Sequence, residues 1–124
     1  GGLTVLKDAK KDEDWCGALR RQGVNVDKAL VRMKGNEAAY RDFLMEFFDD
    51  PDFEAMEEAV KAGDVRAAFD YAHGLKGMAA NLGLDEICHR LNILVEILRA
   101  GSLGGAVEAM ENVTAACGTV TRLL

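Results

Sequence analysis

DVRAAFDYAHGLKGMAANLG, residues 64–83, is the stretch on which the fold turns. At about 100° per residue, Val65, Ala68, Ala72, Leu75, Ala79 and Leu82 fall on one apolar stripe. Asp64 is placed to cap the stretch and Gly83 to make the turn after it. The spacing predicts a helix from an Asp64 cap to about Leu82, with its stripe facing a core built from other helices. His73 lies off that stripe, at its flank. Phe69, Lys76, Gly77 and Ala80 stand one or two turns away on the same side, and Gly74 sits on the outer face. An interior glycine costs a helix roughly 1 kcal/mol relative to alanine, so two of them beside a histidine need a reason.

Outward from this stretch the chain reads as helix after helix. One short helix starts near Asp14, carries Trp15, Ala18 and Leu19, and ends at Gly23. A second over 27–34 shows Ala29, Leu30 and Met33 on one side and closes at Gly35. Asn36 is a good cap for a helix over 37–48, with Tyr40, Phe43, Leu44, Phe47 and Phe48 at helical spacing. Asp50-Pro51 starts another, with Phe53, Met56, Ala59 and Val60 apolar, which stops at Gly63. Asp85 opens a helix through Ile87, Leu91, Leu94, Val95 and Leu98, closed by Gly101. The last, from about Gly105, presents Val107, Met110, Val113, Ala116, Val120 and Leu123. Trp15 and the group Phe43, Phe47 and Phe48 read as core and cap packing.

Strand signals are nearly absent: there is one proline, no sustained alternation and no Asn-Gly or Asp-Gly turn. Short connections favour antiparallel neighbours. The expectation is an all-α fold, an antiparallel up-down four-helix bundle with short N-terminal accessory helices. Residues 1–12 read as a frayed lead and 13–124 as a single helical domain, which suits a length of 124 residues.

Composition narrows the function. The formal net charge is −6 and no lysine–arginine cluster occurs, which argues against nucleic acid. No apolar run approaches the ~20 residues that span a bilayer, so membrane insertion is not expected. Cys16, Cys88 and Cys117 are odd in number and widely spaced. They suggest neither a disulfide framework nor a zinc site, and a cytoplasmic location follows as the expectation. Asp70 three residues before His73 is a faint echo of a metal-binding pair, but no matching pair occurs on another helix, and His89 reads as a surface residue. No metal site is expected.

The residues around His73 suggest a specific chemistry. A neutral imidazole nitrogen is a competent nucleophile. An ammonium three residues on can stabilise the negative oxygens of a phosphoryl group. Gly77 and Ala80 leave a bare patch through which a macromolecule can reach the ring. These features suit a histidine that carries phosphate between large partners.

The run Ala72-His73-Gly74-Leu75-Lys76-Gly77, followed by Asn81 and Gly83, resembles the signature of histidine-containing phosphotransfer (HPt) domains of two-component phosphorelays. Upstream, GVNVDKALVRMKGNEAAYRDFLMEFFDD (23–50) is similar to their helical lead-in at Val26, Asp27, Leu30, Asn36, Tyr40, Leu44 and Phe47. The Gly63-Asp64 step fits as well, and the resemblance spans roughly 23–101. It implies a four-helix bundle that takes a phosphoryl group from a receiver-domain aspartyl phosphate and passes it to another receiver aspartate. His73 would be the phosphoacceptor, Lys76 the residue that supports the phosphoryl group, and Gly77 the small residue that admits the partner. Phe69, Gly74 and Ala80 would complete the contact patch. Response-regulator receiver domains and a sensor histidine kinase are the implied partners. Mg²⁺ would be bound by the receiver, with no cofactor here and a monomer as the simplest state. One departure is Gly74, since the position after the histidine often carries a non-glycine residue in that family.

Two other readings compete. A chemotaxis-type histidine kinase contains a similar bundle, but these residues hold no glycine-rich phosphate loop, so no ATP-binding or kinase activity of the chain's own is expected. A non-catalytic helical adaptor would leave the grouping of Lys76, Gly77 and Ala80 about His73 without a purpose.

Overall fold

A computed structural model describes residues 14–124; the lead expected over 1–12 lies outside them. Seven helices occur among the described residues, with no strand: α1 Trp15–Arg21, α2 Val26–Arg32, α3 Glu37–Phe48, α4 Asp52–Ala62, α5 Val65–Asn81, α6 Asp85–Arg99 and α7 Ala106–Thr121.

The stop and start signals explain these boundaries. Asn25, Asn36 and Asp64 each accept a backbone N–H three residues on, from Lys28, Ala39 and Ala67, as N-cap side chains do. Asp50 accepts from the N–H of Asp52 at 2.8 Å, so it caps α4 across Pro51. The C-terminus of α5 closes in a Schellman arrangement, with Leu84 N donating to Ala79 O and Gly83 N to Ala80 O. Gly83 holds φ +71° there, and its carbonyl accepts from Asn25 N at 2.8 Å. A Cβ on Gly83 would stand 2.2 Å from the Asn25 carbonyl oxygen. Only glycine lets the segment before α2 come this close.

Each long helix buries most of the stripe its sequence shows. In α5 the buried residues are Ala68, Ala72, Leu75 and Ala79; in α6 they are Ile87, Leu91, Leu94, Val95 and Leu98. Small alanines on α5 let its neighbours pack close. α5 packs against α4 and α6, α6 packs against α7, and α7 returns to α4. The α5–α6 pair is antiparallel: Phe69 meets Arg99 and Lys76 meets Asn92, so a step of seven residues up α5 is a step of seven down α6.

α1 to α3 cover the end of the structure where α5 turns into α6. Tyr40, wholly buried on α3, donates its hydroxyl to the Leu82 carbonyl at 2.7 Å. Trp15 packs against Tyr40 with ring centroids 5.9 Å apart, and the Arg41 guanidinium lies over the Trp15 ring. Phe47 meets Phe48 and Phe53 edge to face, which joins α3 to α4.

Two expected core positions are not core. Phe43 is 49% exposed and Val107 51%. The buried stripe of α3 is Tyr40, Leu44 and Phe47, and Phe43 falls on its uncovered edge, whereas Phe48 on the other edge is covered by Phe47. In α7 the small Ala106 and Ala109 take the inner positions of the first turn and turn Val107 outward.

Candidate functional site

His73 sits at the centre of α5, eight residues from each end of Val65–Asn81, and is exposed. Its position follows from the helical phase: Ala72 and Leu75 must face inward, which rotates residue 73 onto the flank. Phe69, one turn earlier, is half-buried and stacks on the imidazole with ring centroids 5.7 Å apart and planes 19° from parallel. That contact limits how the ring can rotate. The Arg99 guanidinium of α6 in turn lies over the Phe69 ring, 5.1 Å from its centroid. A shallow groove lined by Val65, Arg66, Phe69, Leu98 and Arg99 opens beside this stack.

Lys76 projects from the same flank, half-buried, and its Nζ donates to Asn92 Oδ1 on α6 at 3.2 Å. Ala80 is half-buried one turn further on. Gly74 and Gly77 are both exposed, and a Cβ added at either would meet nothing within 4 Å. Their absence of side chain therefore serves no contact within the described fold. Phe69, His73, Lys76, Gly77 and Ala80 thus share one flank of α5, as the sequence predicts. Gly74 lies beside His73 on the outer face.

Asn92 and Arg99 are not evident from sequence reasoning centred on the α5 motif. The available signal is their spacing: seven residues apart, they share the same edge of the α6 stripe, next to Leu91, Val95 and Leu98. Elsewhere, His89 is exposed and Asp70 pairs with Arg66 at 3.4 Å. Among the described residues no group of three histidine, cysteine or acidic side chains is arranged to hold a metal ion. No described helix is long and apolar enough to cross a membrane.

Among the described residues the fold is all-helical, and His73 stands exposed on an open helix face rather than inside an enclosing cavity. The chain belongs to the Hpt domain family, whose pattern matches residues 39–123, or 85 of the 124. The match begins later than the resemblance to the lead-in over 23–50 and continues beyond residue 101 through the whole of α7. The family's activity is phosphotransfer in two-component signalling. No curated protein and no solved structure matches the chain significantly.

Proposed function

We propose that the protein is a phosphorelay carrier in which His73 accepts a phosphoryl group from a receiver-domain aspartyl phosphate and returns it to a second receiver aspartate. The observation that carries this reading is an exposed imidazole, stacked on Phe69, with Lys76 beside it and bare helix at Gly74 and Gly77. Helices α4 to α7 would form the up-down antiparallel bundle and α1 to α3 its accessory cap. The contacts of α5 with α4 and α6, of α6 with α7 and of α7 with α4 support that arrangement.

In the transfer step the unprotonated ring nitrogen of His73 attacks phosphorus in line. A P–N bond forms as the P–O bond to the aspartate breaks, and the electron pair leaves with the carboxylate. The ring then bears the phosphoryl group and releases its remaining N–H proton to solvent. The reverse sequence delivers the group to the next aspartate. The Lys76 ammonium offsets the negative charge on the phosphoryl oxygens, and the receiver supplies its own Mg²⁺. Alignment comes from docking, since an open helix face places no second reactant by itself. A Cβ at Gly77 would stand in the path of that approach.

Receivers and the kinase that loads them are the expected partners, with a cytoplasmic monomer as the acting form. The test is transfer from a panel of phosphorylated receiver domains to the wild type and to His73→Gln. Acid-labile, alkali-stable label on the wild type alone supports the carrier role. Equal labelling of both proteins, or of neither across the panel, overturns it.

A further inference from the structure

The cations around the His73 flank are held in different ways. Arg66 Nε lies 3.4 Å from Asp70 Oδ2 and Arg99 Nε 3.3 Å from Glu96 Oε1, so each guanidinium stands beside a carboxylate. Lys76 differs. Its Nζ donates to the neutral amide oxygen of Asn92, and among the described residues it takes part in no ion pair.

The difference matters for charge. A carboxylate at position 92 would pair with the ammonium and compete with any anion that arrives. An amide oxygen directs the ammonium without neutralising it. Lysine also has a long, freely rotating stem, and a partner on the neighbouring helix reduces the arrangements it must give up when it meets a ligand. Asn92 and Lys76 are both half-buried where α5 and α6 pack, so the bond is partly shielded from water.

We infer that Asn92 is a positioning residue, which holds the Lys76 ammonium at the His73 flank and leaves its full charge available to an incoming phosphoryl group. The inference rests on the carrier reading and extends the site from α5 to α6. It also separates two roles that geometry alone would merge, since a Lys–Asn bond could serve simply to join the helices.

The test uses the full chain and phosphoramidate, a small donor that needs no receiver: the ring nitrogen attacks phosphorus, the P–N bond of the donor breaks and ammonia leaves. Asn92→Ala is expected to slow labelling about fivefold, the scale of one lost directing hydrogen bond. Asn92→Asp is expected to slow it further, and Asn92→Gln, which keeps a neutral acceptor, to recover most of the rate. In a Lys76→Ala background Asn92→Ala should add nothing, because its effect passes through the lysine. An unchanged rate for Asn92→Ala, or losses that multiply in the double variant, would overturn the positioning role and leave a bond that only joins helices. A wild type that takes no label, or label that persists in His73→Gln, would overturn the carrier reading and this inference with it.

Discussion

Gly77 and Gly74 can be judged by what a methyl group would do at each. Both have helical backbone and open space at the Cβ position, so neither glycine is needed by the fold. Alanine at either position should therefore stabilise the protein by ~0.5–1 kcal/mol through helix propensity. Urea titration of Gly77→Ala and Gly74→Ala measures this, and a loss of stability in either would show a contact that the geometry lacks. If Gly77 admits a partner, the same substitution that stabilises the fold should raise the receiver concentration needed for half-maximal transfer. Labelling by a small donor should change little. A Gly77→Ala protein that is more stable and equally receptive to receivers would remove the reason given for this glycine. At this scale the sequence was informative because His73, Lys76 and Gly77 are within one turn or so of each other on a single helix, where phase alone decides adjacency. It was uninformative about Asn92 and Arg99, because they reach the site across α6, and single-helix phase does not specify which residue of the next helix lies opposite.

Among the elements, α5 depends on its two ends. Asp64→Ala removes the acceptor of the Ala67 N–H and should cost ~1 kcal/mol, the usual value of an N-cap. Gly83→Ala should cost considerably more. It places a side chain at φ +71° and drives a Cβ against the Asn25 carbonyl, a backbone atom that cannot swing away. Thermal unfolding of the two variants should rank them in that order, and a Gly83→Ala protein as stable as Asp64→Ala would mean that the approach of Asn25 is easily relaxed. The contrast also shows what a sequence reveals about elements. Caps and stops are local, so the helix over 37–48 was legible to the residue from Asn36 and the periodic apolar positions after it. Gly83 was legible as a turn but not as a point of contact, since Asn25 is far away along the chain. Phe43 and Val107 fit the helical period and are nonetheless exposed. A helical stripe has edges, and whether an edge is covered depends on neighbours that only the assembled fold supplies.

Across the whole molecule, the buried acidic groups lie mainly at the end covered by the accessory helices, and they set its response to alkali. Burial pushes the Cys16 thiol from 9.0 up to about 12, with the nearby Glu37 carboxylate adding to the effect. Burial likewise pushes the Cys117 thiol up to about 11. The Tyr40 hydroxyl is also held above its ordinary value, chiefly by burial, and only its protonated form can donate to the Leu82 carbonyl. In the unfolded chain these groups would lose their protons from about pH 9 for the thiols and about pH 10 for tyrosine. The native state keeps them, so above pH 9 the folded protein binds more protons than the unfolded one and stability must fall as pH rises. The contribution of these groups is complete below pH 9 and is lost progressively between their unfolded and folded values. Each retained proton steepens the decline by at most ~1.4 kcal/mol per pH unit. Urea midpoints measured under reducing conditions from pH 7 to pH 11 should be level with respect to these groups up to about pH 9 and then fall. Cys16→Ala should flatten the first part of the decline, and Tyr40→Phe the part that begins near pH 10, although each variant starts from a lower stability at neutral pH. A wild-type curve as flat as that of the two variants above pH 9 would show that water reaches these groups in the native state, and that the accessory helices do not seal the end of the structure they cover.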